Sequence, residues 1–319
     1  MKHVLILTVL AAASFAAAQT TGTASTANPS TPAQTKAPAA QGAPGQAPPA
    51  QATPGAAPAP AAPAQGKPMP QAKSQEEFKA YQDAIAKTAP AEVEAAATAF
   101  AAKYPDSELR ALVYRKAMYD YQNANNAEKT VEMAKKILAI DPNNPEALVT
   151  FATITAQSTR ETDLDRDERL NEALKDANKA LQTIDTDMVV PANAPPDRIQ
   201  AYKSSMRAMA YDAIGTVAMV RKDYATAETN LRKATEMNAQ PDPVTWLRLS
   251  VSLDQQKKYS QALEAANKAV EYSADSPQAN NLAKMERDRL QKLISTPAPP
   301  APATPAPTSP TPISPKPPQ

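Results

Sequence analysis

Three aspartates in the middle of the chain are spaced as the ligands of a calcium loop would be. Asp163, Asp165 and Asp167 form the pattern D-x-D-x-D, and Ca²⁺ prefers carboxylate oxygens at such alternating positions. An EF-hand loop also needs glycine at its sixth position and glutamate at its twelfth. Those positions hold Glu168 and Leu174. The pattern therefore favours a solvated acidic loop or helix start, and we predict no metal site.

The chain lacks the residues on which most catalytic sites depend. It contains no cysteine, and its one histidine is His3. Cysteine nucleophiles, Ser-His-Asp sites and the usual zinc sites all require one of these side chains. After Gly66 the sequence has only Gly215, so it offers no glycine-rich loop to cradle a phosphate. We predict that the protein is not an enzyme and has no catalytic residue and no cofactor; paired carboxylates remain a formal alternative, but no spacing supports them.

The first 18 residues have the layout of a secretory signal peptide. A positive start at residues 2–3 precedes an apolar run over residues 4–13, and Ala16 and Ala18 form an A-x-A cleavage pattern. A transmembrane anchor is the alternative, but the run is shorter than the roughly 20 residues that span a bilayer. We therefore predict cleavage and export to the periplasm or beyond the cell, with no transmembrane segment remaining.

Two proline-rich arms flank the middle of the chain. Residues 19–73 contain twelve prolines and no acidic residue, and residues 294–319 contain eleven prolines among Ala, Thr and Ser. Such segments have too little apolar surface to offset the entropy of ordering, so we predict that both arms are disordered. They are interpreted either as spacers or as segments that contact the cell wall or a proline-recognising groove.

The charge of the middle segment argues against nucleic acid as a partner. The chain has 34 basic and 33 acidic side chains. The signal and the arms contain no acidic residue and five lysines, namely Lys2, Lys36, Lys67, Lys73 and Lys316. The middle therefore has 29 basic against 33 acidic side chains, whereas a nucleic-acid-binding domain is expected to have a basic stripe.

One pattern runs twice through the second half of the chain, 35 residues apart. The matched pairs are Tyr224 with Tyr259, Ala227 with Ala262, Lys233 with Lys268 and Ala234 with Ala269. Self-similarity at this period is typical of stacked helical hairpins. Good helix formers and helically spaced apolar residues predict helices near residues 75–87, 91–103, 107–123, 127–140, 145–158, 167–184, 197–221, 224–237, 243–256, 260–272 and 277–293.

Set in register, the repeat resembles the tetratricopeptide repeat, a hairpin of two helices with large residues at positions 4, 7 and 11 and small ones at 8, 20 and 27. In the last two units the small positions hold Gly215, Ala227 and Ala234, and then Ser250, Ala262 and Ala269. The resemblance covers residues 74–293. It implies an all-α fold, a right-handed superhelical solenoid of hairpins flanked by the two disordered arms, with a surface that binds other proteins.

The same register interprets two unusual residues. Gly215 falls at position 8, where two helices cross closely, and Trp246, the only tryptophan, falls at position 4, which is ordinarily core. A ligand platform is the alternative for Trp246. We predict a packing role for both residues.

The resemblance also implies where a partner would bind. The concave face of such a stack is lined by the first helix of each hairpin, near positions 2, 5, 9 and 12. These positions predict a groove formed by Arg115, Tyr119, Gln122, Val149, Thr153, Asp212, Thr216, Leu247 and Val251. We expect an unidentified protein or extended peptide there, with Tyr119, Leu247 and Val251 as apolar anchors.

An insertion over residues 186–196 interrupts the array with three prolines and the apolar run Met188-Val189-Val190. It is interpreted either as a docking loop for a partner or as a loop that folds back over its own solenoid.

Two functions remain open from the sequence. In the first, the protein is an exported adaptor or scaffold that mediates protein–protein interaction through its repeat surface. In the second, it is a structural spacer or self-associating component of the cell envelope whose proline-rich arms contact the cell wall.

Overall fold

The computed structural model describes residues 66–191, 193–237 and 242–295. Over these residues the chain forms eleven α-helices and two short strands. In chain order they are β1 (Lys67–Pro68), α1 (Gln75–Ile85), α2 (Pro90–Lys103), α3 (Leu109–Asn123), α4 (Ala127–Ile140), α5 (Pro145–Ser158), α6 (Arg166–Thr183), β2 (Val189–Val190), α7 (Pro196–Val220), α8 (Tyr224–Met237), α9 (Pro243–Gln255), α10 (Tyr259–Glu271) and α11 (Pro277–Ser295). The expected signal peptide, most of the expected linker and nearly all of the expected C-terminal arm lie outside the described residues.

The predicted helices are confirmed, and each end lies within two residues of its predicted position. Five helices begin at proline, namely at Pro90, Pro145, Pro196, Pro243 and Pro277. Proline suits this position because the first turn of a helix leaves its N–H groups unbonded in any case. Within the described ranges, no helix has both the length and the apolar character that a bilayer crossing requires.

The helices pack as hairpins, and each hairpin packs on the next. The pairs α3–α4, α5–α6, α7–α8 and α9–α10 make the most extensive contacts, with α5 also packing on α7 and α8 on α9. The helices α1 and α2 precede this array, and α11 closes it by packing on α10 and α9. Such nearest-neighbour packing is the organisation of a solenoid, so the predicted all-α stack of hairpins is confirmed.

Small residues mark the places where the two helices of a hairpin cross. The Ser250 hydroxyl donates to the Ala262 carbonyl across α9 and α10, at 2.8 Å. At the equivalent crossing of α7 and α8, a Cβ added to Gly215 would lie only 2.7 Å from Cγ of Leu231. The predicted packing role of Gly215 is confirmed.

Trp246 also packs rather than forming a platform. Its ring is partly buried between two apolar clusters of the last hairpin, and its centroid lies 6.5 Å from that of Tyr272. The predicted core role of this side chain is therefore confirmed.

The turns inside three hairpins share one backbone device. Asn125, Lys222 and Lys257 have positive φ angles of 54°, 64° and 61°. In the last turn the Lys257 N–H donates to the Asp254 carbonyl at 2.8 Å, and the Lys258 N–H donates to the Leu253 carbonyl at 3.0 Å. These are the bonds of a Schellman motif, in which glycine is the usual left-handed residue.

The insertion folds back over its own solenoid, which is the second of the two interpretations given above. Met188 and Val190 are buried in a cluster with Met206 of α7. β2, inside the insertion, pairs in parallel with β1, and the Lys67 N–H donates to the Met188 carbonyl at 2.8 Å. The linker expected over residues 19–73 is therefore shortened, because residues 66–73 belong to the described fold.

The acidic triplet serves the local structure. The Asp163 carboxylate accepts from the Arg160 N–H at 2.8 Å and lies 3.6 Å from the Arg169 guanidinium. Asp167 pairs with Arg166 at 2.8 Å. Among the residues that the structure describes, no group of three His, Cys, Asp or Glu side chains is arranged to hold a metal ion.

Candidate interaction groove

The first helices of three consecutive hairpins, α3, α5 and α7, border a cavity of about 790 Å³, called the groove below. Its helical lining consists of Arg115, Tyr119, Gln122, Glu146, Val149, Thr150, Thr153, Ile154, Gln157, Arg198, Ile199, Tyr202, Ser205, Met206, Ala208, Met209, Asp212, Ala234, Thr235 and Thr245. Met69, which follows β1, and residues 188–191 of the insertion close one side, and Ala194 and Asp242 complete the lining.

The structure brings six of the nine predicted groove residues together. These six are Arg115, Tyr119, Gln122, Val149, Thr153 and Asp212. Thr216, Leu247 and Val251 do not line the groove, and their exposed fractions are 6%, 1% and 8%. Whether the six bind a partner stays a prediction.

Helix α11 covers the two residues of the last hairpin, Leu247 and Val251, that the sequence predicted as apolar anchors. Leu247 packs against Ala279 and Ala283 of α11, and Val251 lies in a cluster that includes Leu290 of the same helix. The terminal helix α11 therefore covers the face of α9 on which the repeat positions predicted a bound partner. Leu247 and Val251 are corrected from groove anchors to core residues.

A hydrogen-bonded network crosses the groove wall from α3 to α7. Glu146 is 8% exposed, pairs with Arg115 at 3.4 Å and accepts from the Tyr202 hydroxyl at 3.0 Å. The Tyr119 hydroxyl lies 2.9 Å from that of Tyr202. Partial desolvation in the groove wall, together with the charge of Glu146, raises the pKa of Tyr119 and of Tyr202 above the ordinary value.

Three polar atoms along the groove have no hydrogen-bond partner within the described residues. They are Oε1 of Gln122, Oγ1 of Thr153 and Oε1 of Gln157, all buried from solvent. Thr153 and Gln157 are one helical turn apart on α5 and thus share a face. A buried polar atom left unbonded costs about 1–3 kcal/mol, so a donor supplied to this row by water or by a ligand would stabilise it.

The rest of the groove is largely apolar, and its other charged lining residues, Arg198 and Asp242, have opposite signs. Four methionines line it, namely Met69, Met188, Met206 and Met209, together with valine, isoleucine and proline side chains. Its buried carboxylates are compensated, because Asp212 pairs with Arg248 at 2.8 Å and Glu146 pairs with Arg115. Methionine-rich surfaces adapt to partners of different shape.

Sequence reasoning missed three important groove residues. Glu146 occupies position 2 of its hairpin, so the rule that selected Val149 also applies to it. Gln157 lies one turn beyond Thr153, the last residue selected on α5. Tyr202 lies in the first turns of α7, before the start of its repeat unit, where only the neighbouring insertion gave a signal.

Comparisons with known proteins do not assign the chain to a family. No protein-family model matches the chain, and no curated protein matches it. It is similar to the crystal structure of MamA protein, with 18% identity, 58% of this chain and 87% of that chain covered, and a TM-score of 0.36. It is also similar to TTC0263, a thermophilic TPR protein of Thermus thermophilus, with 16% identity, 68% and 98% covered, and a TM-score of 0.38. Both scores are low, but the chain's own stacked hairpins and small crossing residues make it a tetratricopeptide-like helical repeat protein.

Proposed function

We propose that this protein is an exported, non-enzymatic adaptor whose groove holds an extended segment of a partner protein. The observation that carries the proposal is the groove itself, a cavity of about 790 Å³ across three hairpins with apolar walls and a row of unbonded polar atoms. Apolar walls would bury the side chains of a bound segment, and the polar row would bond its main chain.

The groove's buried carboxylates support a binding role over a catalytic one. The Asp212 carboxylate is held by Arg248 and by the Thr245 hydroxyl, at 2.8 and 2.9 Å. Glu146 is held by Arg115 and Tyr202. General acid–base catalysis needs a carboxyl group that reaches a substrate, and both are committed to protein partners.

The location is part of the proposal and rests on the layout of residues 1–18. Amino-terminal sequencing of the protein purified from the cell envelope or the medium tests it. We expect the mature chain to start at Gln19 after the A-x-A pattern. An amino terminus at Met1 in every fraction would contradict export by cleavage.

Affinity capture with a matched pair of variants tests the binding role. Tyr202 is 41% exposed in the groove, and Phe78 is 49% exposed on α1, which contributes no lining residue. Immobilised wild type, Tyr202→Ala and Phe78→Ala are exposed to the same envelope extract, and bound proteins are quantified by mass spectrometry. We expect a partner that Tyr202→Ala retains at least tenfold less and Phe78→Ala retains normally. Equal retention by all three proteins would place the binding surface elsewhere.

A further inference from the structure

The N-terminal arm joins the described fold at the wall of the groove. Gly66 lies so close to the insertion that a Cβ added to it would be 2.5 Å from the Met188 carbonyl oxygen. The Lys67 ammonium pairs with Asp187 at 2.8 Å, and Met69 itself lines the groove. The arm is therefore tethered beside the groove, at the insertion that closes one of its sides.

The arm matches the groove in charge and composition. Residues 37–65 contain eight prolines, with Ala, Gln, Gly and Thr between them, and no charged residue. The groove is likewise nearly neutral, because Glu146 and Asp212 are paired with arginines. The other charged lining residues, Arg198 and Asp242, are of opposite sign, so the groove has little net charge to disfavour an uncharged segment.

The groove also offers the contacts that proline-rich segments use. Such segments dock on aromatic-lined grooves, and Tyr119 and Tyr202 stand together on this wall. An extended proline-rich chain makes no internal hydrogen bonds, so its carbonyls, and the N–H groups of its other residues, are free to bond. The side chains of Gln122, Thr153 and Gln157 can donate and accept, and each has a buried atom that lacks a partner in the described chain.

The tether favours this arm over the other one. A linked segment meets its site at an effective concentration set by the linker, which reaches the millimolar range for short linkers. The C-terminal arm leaves from the end of α11, which contributes no residue to the groove.

We propose that a short stretch within residues 37–65 occupies the groove of its own chain and that a partner must displace it. This inference rests on the proposed function, because it gives the same groove an internal competitor. It makes the ligand class of the groove an uncharged, proline-rich segment.

Cysteine crosslinking in the full mature chain tests the proposal, and the lack of native cysteine makes the reaction specific. One variant combines Ala56→Cys in the arm with Ser205→Cys in the groove. Its control combines Ala56→Cys with Lys175→Cys, an exposed site on α6, which contributes no lining residue. A second groove variant uses Arg198→Cys at an exposed lining position, in case Ser205→Cys lowers the melting temperature. A short bismaleimide is added, and crosslinked peptides are quantified by mass spectrometry.

We expect the groove pair to crosslink at least tenfold faster than the control pair, at a rate that does not change on dilution. Equal rates for the two pairs would overturn the proposal. A rate that falls on dilution would overturn it in favour of a second copy's arm. Faster crosslinking when Ala306→Cys replaces Ala56→Cys would overturn it in favour of the C-terminal arm.

The two proposals fail separately. If the arm does not crosslink but Tyr202→Ala still loses the captured partner, the adaptor function stands and the internal competitor is wrong. If the arm crosslinks and no partner depends on Tyr202, the groove serves its own arm and the adaptor function is wrong.

Discussion

Gly215 shows how a single small residue sets the packing of a hairpin. Its missing side chain lets α7 approach Leu231 of α8, which is fully buried. We expect Gly215→Ala to lower the free energy of unfolding by up to about 2 kcal/mol. Overpacking costs about 1–3 kcal/mol, and alanine returns about 1 kcal/mol because it favours helix more than glycine. Urea unfolding followed by circular dichroism measures the change.

Leu231, the residue that a methyl group at position 215 would meet, supplies the control for this prediction. Leu231→Ala alone should cost about 2–5 kcal/mol, because it leaves a cavity in the core. In the double variant the new methyl group enters that space, so the combined loss should be smaller than the two single losses added together. Strict additivity would show that Gly215 is not at a close crossing.

Two single residues, Leu247 and Tyr202, explain why the predicted groove differs from the observed one. Leu247 satisfies the positional rule for the concave face, yet α11 covers it. The rule describes a repeat inside a long array and does not include the terminal helix that closes it. Tyr202 was missed for the opposite reason, because it lies outside the repeat frame, in turns added to α7 beside the insertion.

At the scale of elements, the hairpin turns are built alike but not with the residue that suits them best. Lys257 adopts a left-handed conformation that costs a non-glycine residue about 1–2 kcal/mol. We expect Lys257→Gly to raise the free energy of unfolding by about 0.5–1 kcal/mol, since the greater freedom of glycine in the unfolded chain offsets about 0.5–1 kcal/mol of the relief. Lys257→Ala is the control and should give no such gain. A gain of equal size from both variants in thermal unfolding would mean that the lysine side chain, not the backbone, is unfavourable.

A second set of contacts joins α8 to the turn between α9 and α10. The Glu228 carboxylate lies 2.6 Å from the Lys258 ammonium and 3.0 Å from the Arg232 guanidinium, and accepts from Gln256 at 2.9 Å. Burial alone would raise the pKa of Glu228, but the hydrogen bonds from Lys258, Arg232 and Gln256 outweigh it and lower this pKa in the folded protein.

The lowered pKa gives a pH dependence of definite sign. The stability contributed by Glu228 is present above the unfolded-state pKa of about 4.3 and is lost as the pH falls through the lower folded-state value. Wild type should exceed Glu228→Gln by about 0.5–1 kcal/mol at pH 7, a modest value because the two cations are about 40% exposed. The difference in unfolding free energy should shrink below about pH 4. A difference that persists unchanged at pH 3 would attribute the effect to packing rather than charge.

The elements were largely predictable from the sequence because their signals are local. Helix periodicity, first-turn prolines and the 35-residue repeat all act over a few turns, and they gave every helix of the described chain to within two residues. The pairing of β1 with β2 was not predictable. It joins Lys67 to Val189, far apart in sequence, and two residues per strand carry no periodic signal.

At the scale of the whole molecule, the groove results from stacking and from one irregular segment together. The hairpins align α3, α5 and α7, which gives the long wall, and the insertion with β1 closes one side. An array of identical repeats would leave that side open. The same insertion contacts residues 66–68, where the described chain begins, so this attachment and the groove share one structural origin.

The central claim is that the groove, rather than another surface, binds extended protein segments. A photoreactive benzoylphenylalanine placed at Tyr202 in the full chain tests it most directly, with the same probe at Phe78 as the control, and irradiation is done in living cells. We predict that the Tyr202 probe forms discrete adducts, either with a partner protein or with residues 37–65, and that the Phe78 probe does not form them. Adducts that are the same from both positions, or that form from Phe78 alone, would contradict the account.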